Sequence, residues 1–373
     1  MRRESAVDES DLIEVHEAEW ALLKEQGALR ETLLQEKLEG DRARCNICQR
    51  RCSIPPGKAG YCMTKINLGG KVYTTIYGVI SSAAADPIEK KPVFHYMPGS
   101  LCYSVGSLGC NFRCVFCQNW QISFADAVQP TGMCQYSFSP EDLVTSARET
   151  GCEGVAWTYN EPGIWLDYTL DGAKLAKQAG LYTVYVTNGY ATEEHLDIIG
   201  PYLDVYRVDI KSMSDRFYRK LMKVPSAAGI RDVARRAKQK WGMHLECVTN
   251  IVPTWNDSEE NLRATARWVA DNLGDLTPWH VTRFFPYAKF QNLPPTPPST
   301  LVRAAEIGRE EGLKFVYIGN LVTPTGQNTY CYTDGTLAIE RTGYRARILA
   351  ITPDGRCPND GAELNLKMKT RDA

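Results

Sequence analysis

Three cysteines stand close together at Cys110, Cys114 and Cys117, in a C-x3-C-x2-C arrangement. They follow an apolar run, Leu101 to Leu108, that predicts a strand, and Gly109 stands at the turn. Three thiolates on one loop can bind three corners of a [4Fe–4S] cluster, whose usual complement is four cysteines, so the fourth iron would be open to a small-molecule ligand. The alternatives are buried core cysteines or a zinc site, which usually takes four ligands. We favour the cluster.

A second cysteine group precedes the first on a segment rich in proline and glycine. Its members are Cys45, Cys48, Cys52 and Cys62. Four thiolates fit a closed tetrahedral zinc site, and they equally fit an all-cysteine iron–sulfur cluster. The segment has few apolar residues to hold it, so we predict a bound metal and leave its identity open between the two.

Strand-like and helical runs alternate from about residue 103, which is typical of βα units around a parallel sheet. The strand-like runs are 103–108, 154–159, 181–187, 203–209, 243–251, 279–285 and 313–318. The sequence therefore predicts an α/β fold, a full or partial (β/α) TIM-like barrel with a Cys-rich N-terminal extension and a small C-terminal β hairpin module. The predicted divisions are 1–44 (helical), 45–100 (Cys-rich extension and connector), 101–322 (barrel) and 323–373 (hairpin).

Polar side chains cluster where several of these predicted strands end. They are Asn160, Glu161, Asn188, Asp209 and Lys211, and the sixth run contains His280. Active sites of such barrels lie at the carboxyl ends of the strands. Solvated loops are the usual explanation of polar residues there, but their recurrence at successive strands favours a shared site.

Other segments carry structural predictions. Residues 8–40 are expected to form one helix that ends at Gly40, and residues 71–81 a short hairpin. Asp257 with Glu260 predicts the start of a helix by a capping box. The polar segment 86–96 is expected to pack over the mouth of a site, or else to be a solvated connector.

Two turns near the carboxyl terminus resemble a zinc ribbon in which aspartate replaces the second cysteine of each pair. The four residues are Cys331, Asp334, Cys357 and Asp360. Carboxylates do bind zinc, so a Cys2Asp2 site is one interpretation. A metal-free hairpin is the interpretation that the sequence favours.

The composition is that of an ordinary globular protein, with 43% hydrophobic and 23% charged residues and a net charge of −1. Near-neutral charge gives no support to a nucleic-acid or membrane-surface partner, and the basic run 235–238 is explained by a solvated helix face. No apolar run approaches ~18 residues, and the first residues predict no signal peptide. Thirteen cysteines in such a chain indicate metal or redox chemistry rather than disulfides. We expect the reducing cytoplasm of an oxygen-poor cell.

From about Cys45 onward the sequence resembles radical S-adenosylmethionine (radical SAM) enzymes of the AmmeMemoRadiSam group, which are similar to pyruvate formate-lyase-activating enzymes. The matching motifs are the two cysteine groups, with Phe116 before the last cysteine, and the segments 86–92, 118–120, 159–162, 187–189, 209–211, 278–280 and 285–286. In place of the glycine-rich stretch of many such enzymes the chain has Thr158-Tyr159-Asn160.

The resemblance implies an oxidoreductase in which Cys110, Cys114 and Cys117 hold a [4Fe–4S] cluster that SAM chelates. One-electron reduction, from a donor such as flavodoxin or ferredoxin, would cleave SAM to a 5′-deoxyadenosyl radical that removes hydrogen from an unidentified small molecule, peptide or protein. The same resemblance implies which residues contact the cofactors. Asn160 and Glu161 would lie at the SAM amino group, and Asn188 would lie near the ribose. Asp209 and Lys211 would lie near the methionyl part of SAM or the substrate, and Phe116 and His280 are further cofactor contacts.

Two other functions compete with this interpretation. The chain could be an activase that installs a glycyl radical in a partner enzyme. It could also be a non-catalytic iron–sulfur or zinc scaffold, against which the intact Cys110–Cys117 loop argues.

Overall fold

The computed structural model describes residues 17–124, 134–322 and 325–369. Its strands are β1 (Arg30–Glu31), β2 (Gln35–Lys37), β3 (Ala43–Cys45), β4 (Ser53–Ile54), β5 (Lys65–Leu68), β6 (Lys71–Thr74), β7 (Ser82–Pro87), β8 (Leu101–Gly106), β9 (Gly154–Trp157), β10 (Tyr182–Thr187), β11 (Val205–Asp209), β12 (His244–Ile251), β13 (Trp279–Arg283), β14 (Val316–Gly319), β15 (Thr329–Tyr330), β16 (Leu337–Thr342) and β17 (Arg345–Ile348). Its α-helices are α1 (Glu17–Glu25), α2 (Trp120–Ser123), α3 (Pro140–Glu149), α4 (Leu166–Gln178), α5 (Glu193–Ile199), α6 (Asp215–Phe217), α7 (Ala228–Gln239), α8 (Glu259–Leu273) and α9 (Pro298–Glu310).

One eight-stranded sheet forms the centre, in the spatial order β14-β13-β12-β11-β10-β9-β8-β7. The strands β8 to β14 are parallel, and β7 runs antiparallel to β8 at one edge. Within the described ranges β7 and β14 do not pair with each other, so the barrel is partial rather than full. The predicted α/β class and all seven strand-like runs are confirmed, and β7, which the prediction left in the connector, joins the same sheet.

Helices with local start signals cover the outside of the sheet. Ser139 accepts a hydrogen bond from the Asp142 amide while Asp142 accepts one from the Ser139 amide, so α3 starts with a capping box. Helix α8 is capped by Ser258, whose hydroxyl accepts from the Asn261 amide. The predicted cap, Asp257, was therefore wrong by one residue.

The N-terminal segment is not one helix, and the prediction for 8–40 is wrong beyond Glu25; its first residues lie outside the described ranges. Helix α1 ends before Gly27, whose φ is 70°, and the Ala28 amide donates to the Leu23 carbonyl. This left-handed turn is a usual helix stop. The chain then pairs Arg30 and Glu31 with β6.

Two small antiparallel sheets build the N-terminal extension, in the orders β1-β6-β5 and β2-β3-β4. The hairpin in this region joins β5 to β6 through Gly69 and Gly70, rather than lying at 71–81 as predicted. Both glycines have positive φ, 60° and 81°, as a tight two-residue hairpin requires.

The segment 86–96 closes the end of the barrel where the parallel strands begin. Pro87 pairs with Leu101, the first residue of β8, and the Phe94 and His95 amides donate to the buried Glu246 at the start of β12. The prediction that this segment covers the mouth is therefore wrong. The C-terminal sheet β15-β16-β17 packs at the same end, where its Ala338 and Ile339 share an apolar cluster with Phe94.

Candidate functional site

The loop 107–119 leaves the carboxyl end of β8 and is held there by asparagine side chains. Asn160, just beyond β9, accepts from the Ser107 amide at 3.1 Å and donates to the Gly109 carbonyl at 2.9 Å. Asn119 donates to the Tyr159 carbonyl at 2.6 Å. The amide of Asn160 is thus used to position the cysteine loop at the mouth of the barrel.

Gly109 brings the cysteine loop into contact with the N-terminal extension. Its φ is 79°, and a β-carbon there would lie 2.5 Å from Thr64 Cγ2 and 2.6 Å from the Cys62 carbonyl oxygen. Only glycine combines that backbone conformation with so close an approach. Cys62, the last cysteine of the extension, therefore lies directly against the turn that precedes Cys110.

Glu161 and Asn188 form the next layer of the site. The Glu161 carboxylate is buried and accepts from Gly163 N and Thr187 Oγ1 at one oxygen and from Asn188 N at the other. Burial raises the pKa of Glu161 to about 7, against the opposing effect of these donors. Asn188 Nδ2 donates to Asn111 Oδ1 at 2.8 Å and lies 3.8 Å from Cys110 Sγ.

Asp209 and Lys211, at the end of β11, form an ion pair of 2.9 Å, and Arg207 binds the other carboxylate oxygen at 2.5 Å. Burial raises the pKa of Cys114 to about 12, Cys117 adds to the rise, and Lys211 opposes it. Burial likewise raises the pKa of Cys117, with Lys211 again opposing. The ion pair is thus within electrostatic range of both thiols.

Phe116 is buried in an aromatic cluster beneath the loop. Its ring centroid lies 6.0 Å from that of Phe284, 6.3 Å from Phe217 and 6.4 Å from Phe290. The loop backbone is tied to the segment after α6, because the Val115 amide donates to the Leu221 carbonyl. These contacts fix the spacing of Cys114 and Cys117.

His280 is placed elsewhere in the barrel. It is the second residue of β13, is fully buried, and its Nε2 lies 2.6 Å from Glu246 Oε2 in the layer where the strands begin. The structure therefore gives it no contact with the cysteine loop, whereas Asn160, Asn188 and the thiols come together.

The polar segment 86–91 forms a buried cluster with partners, Tyr159 and Arg207, that were not predicted. Asp86 binds Lys90 Nζ at 2.8 Å, Lys91 Nζ at 2.6 Å and the Tyr159 hydroxyl at 2.9 Å. Burial raises the pKa of Asp86, but the two lysines outweigh it and bring the pKa down to about 2. The Lys91 carbonyl accepts from Arg207, which joins this cluster to Asp209. The signal in the sequence was the density of charge in 86–91.

The four cysteines of the extension surround a recess. They are buried and line it together with Arg50 and Asn111. Arg50 lies over the Tyr61 ring at 3.4 Å and donates to the Asn111 carbonyl at 2.7 Å. The recess thus shares Asn111 with the neighbouring cysteine loop.

The residues of the loop fit a bound iron–sulfur group. A single metal ion needs three or more ligand atoms of Cys, His, Asp or Glu close together. Among the described residues, such a set with all atoms within 4.8 Å of one another occurs only in the C-terminal module. The thiols of Cys110, Cys114 and Cys117 are therefore spread more widely than the edges of about 3.8 Å that a zinc tetrahedron requires. Beside them, Ser107 Oγ and Asn111 Nδ2 are buried without a hydrogen-bond partner.

Fold and site together define an α/β protein with a three-cysteine loop at the mouth of a partial barrel. The chain belongs to the radical SAM superfamily, whose family model matches residues 104–269. It is also 38% identical over 339 residues to the uncharacterized protein MJ0808 of Methanocaldococcus jannaschii. The aligned region covers 91% of this chain and 99% of that protein.

Two activating enzymes are more distant relatives. The pyruvate formate-lyase-activating enzyme of Clostridium pasteurianum is 26% identical over 190 residues, covering 48% of this chain and 76% of that enzyme. The isethionate sulfite-lyase activating enzyme of Oleidesulfovibrio alaskensis is 27% identical over 142 residues, covering 38% of this chain and 45% of that enzyme. The resemblance to radical SAM enzymes similar to pyruvate formate-lyase-activating enzymes is confirmed. Within the described part of the chain, no helix has the length and apolar character needed to span a membrane.

Proposed function

We propose that the chain binds a [4Fe–4S] cluster through Cys110, Cys114 and Cys117 and binds SAM at the iron that these thiols leave open. When bound, the pair supplies one-electron reductive cleavage of SAM to methionine and a 5′-deoxyadenosyl radical, which removes a hydrogen atom from a substrate. The observation that carries the proposal is the three-thiol loop at the carboxyl ends of the strands.

The surrounding residues would orient the cofactor and exclude water. Asn160 and Asn119 hold the loop, and the cationic side chain of Lys211 suits a carboxylate, such as that of SAM, by a charge-assisted hydrogen bond. Glu161 accepts three hydrogen bonds from the protein. We therefore assign it first to positioning Asn188, and only through that to the SAM amino group. Phe116 would hold the loop from below through its contacts with Phe284, Phe217 and Phe290. His280 is omitted from the proposed contacts.

Reductive cleavage of SAM tests the proposal directly. Chains reconstituted with iron and sulfide without oxygen should form 5′-deoxyadenosine when dithionite is added. Cys114→Ala should abolish this product, because one of three cluster ligands is lost. Cys152→Ala is the matched control, since Cys152 is a buried thiol outside both cysteine groups. Normal product formation by the Cys114 variant would refute the assignment.

A glycyl-radical activase is the second candidate, favoured by the names of the two activating-enzyme relatives. The reconstituted chain, SAM and the reductant dithionite would be mixed with a glycyl-radical enzyme such as pyruvate formate-lyase. A carbon-centred radical signal in the partner, seen by electron paramagnetic resonance and absent with Cys114→Ala, would support activation. Deoxyadenosine formation without any partner radical would favour another substrate.

We propose a second iron–sulfur cluster, rather than zinc, at Cys45, Cys48, Cys52 and Cys62. The support is geometric. A single ion needs ligand atoms that lie close together. Within the described residues, the sulfur atoms of these four cysteines do not all lie within 4.8 Å of one another, and neither do those of the Cys110 loop. They also line one recess, together with Arg50 and Asn111.

Measuring the iron content distinguishes an iron–sulfur cluster from zinc at these four cysteines. About eight irons per chain would support a second cluster, and about four would favour zinc or no metal. Cys48→Ser should lower the iron content while Cys152→Ser leaves it unchanged. An electron donor such as flavodoxin or ferredoxin, and a cytoplasmic location, remain predictions that go with this chemistry.

A further inference from the structure

Two turns of the C-terminal module repeat the same local geometry. The first runs from Cys331 to Thr336 and the second from Cys357 to Ala362. In each, the glycine amide donates to the cysteine carbonyl at 3.0 Å, and the residue after glycine donates from its amide to the aspartate Oδ1 at 2.9 Å. Gly335 and Gly361 have matching φ values of 77° and 74°. The aspartates therefore occupy equivalent positions in two facing turns.

The ligand atoms of these turns converge on one point. One atom each from Cys331, Asp334, Cys357 and Asp360 lie within 4.8 Å of one another. Cys331 Sγ is 3.6 Å from Asp360 Oδ2, and Cys357 Sγ is 3.8 Å from Asp334 Oδ2. A tetrahedral zinc ion with bonds of about 2.3 Å to sulfur and about 2.1 Å to oxygen has sulfur–oxygen edges of about 3.6 Å. The thiol–carboxylate spacing matches that edge.

We propose that Cys331, Asp334, Cys357 and Asp360 bind one four-coordinate divalent cation, best Zn²⁺. The sequence favoured a metal-free hairpin because aspartate replaces cysteine, but the substitution keeps four anionic ligands when the thiols are ionised.

Neighbouring groups donate hydrogen bonds to both carboxylates, as groups around metal ligands commonly do to orient them. Thr336 Oγ1 donates to Asp334 Oδ2 at 2.8 Å, and Asn359 Nδ2 donates to the same oxygen at 3.1 Å. The Thr333 hydroxyl donates to Asp360. A carboxylate has about four lone-pair sites. With the backbone amides counted, Asp334 accepts three hydrogen bonds and Asp360 accepts two, so each retains at least one site for coordination, that of Asp334 on Oδ1.

The cation would fix the module that closes the lower end of the barrel. The side chains of Cys331 and Cys357 share an apolar cluster with Phe94 and Tyr317. From the same module, the buried Arg341 donates to the Phe94 carbonyl at 2.6 Å. The ion would therefore hold the two turns at the base of the sheet, on residues separate from the cysteine loop.

Metal binding by the full chain tests this site. The probe is Zn²⁺, quantified by mass spectrometry, and then Co²⁺, whose visible spectrum reports tetrahedral thiolate coordination. The Asp334→Asn/Asp360→Asn variant should hold one zinc fewer than the wild type, with affinity at this site lowered at least ~100-fold, since changes to outer partners alone cost 10–100-fold. Asp354→Asn, an exposed aspartate of the same module paired with Arg356, is the control and should keep the metal.

A rescue variant distinguishes loss of metal ligands from unfolding of the C-terminal module. Asp334→Cys/Asp360→Cys restores four thiols, and it should retain the ion and bind it more tightly than Asp334→Asn/Asp360→Asn. Equal zinc content and equal cobalt spectra in the wild type and the Asn variant would overturn the proposal. Iron content and deoxyadenosine formation report the Cys110 loop independently, so failure of one site is distinguishable from failure of the other.

Discussion

Replacing Gly109 with alanine tests whether contact with the extension sets the position of the cysteine loop. Alanine in the left-handed region costs roughly 1–2 kcal/mol. The new β-carbon would also lie 2.6 Å from the Cys62 carbonyl oxygen, whereas an ordinary contact is at least 3.4 Å. The backbone of the loop or of Cys62 must therefore move by about 0.8 Å. Misplacement of about 1 Å can lower turnover ~100-fold. We expect deoxyadenosine formation to fall by at least tenfold, together with the iron retained after gel filtration.

Gly242→Ala is the matched control for this experiment. Gly242 has a φ of 62° and no heavy atom within 4 Å of the position that its β-carbon would take. The variant should lose a similar 1–2 kcal/mol of unfolding free energy and keep normal iron and turnover. Wild-type iron content and turnover in Gly109→Ala would show that the Cys62 contact does not position the loop.

Two further predictions concern buried charge. Asp86→Asn should lower the free energy of unfolding by about 3–5 kcal/mol, because it leaves the buried Lys91 ammonium without its carboxylate. Asp171→Asn, at a more exposed pair with Arg30, should cost under ~1 kcal/mol in the same urea titration, and equal losses would contradict the burial argument. Burial lowers the pKa of His95 to about 3, so below its unfolded pKa of about 6.5 the unfolded chain binds a proton that the native chain does not. The unfolding free energy should therefore fall as the pH drops from about 6.5 to 3. His95→Gln, which can still donate to Leu364 O and accept from Tyr317, should reduce that slope, and an unchanged slope would exclude His95 as its source.

The repeated βα pattern made the barrel predictable. Parallel strands buried on both faces are continuous apolar runs, and those runs marked β8 to β14 within a few residues. The cysteine loop was predictable for a different reason, since its ligands are local in sequence. Asn160, Asn188 and Asp209 followed from the rule that the carboxyl ends of parallel strands meet.

The errors arose where distant contacts override local pattern. Apolar residues near one helical stripe suggested a helix to Gly40, but Arg30 and Glu31 pair with β6, forty residues along the chain. The Asp86 cluster depends on Tyr159, which no spacing in the sequence connects to it. His280 was assigned by the family resemblance, but it is near the start of β13 and so lies in the lower layer, against Glu246.

Arg50 connects the two cysteine groups by more than proximity. One guanidinium donates to the Asn111 carbonyl and to the Lys223 carbonyl at 2.5 Å while its face rests on Tyr61. It thereby joins the extension, the cysteine loop and the segment after α6 in a single contact. Loss of this guanidinium would therefore free two backbone carbonyls at once, one in the cysteine loop and one after α6, and would uncover the Tyr61 ring.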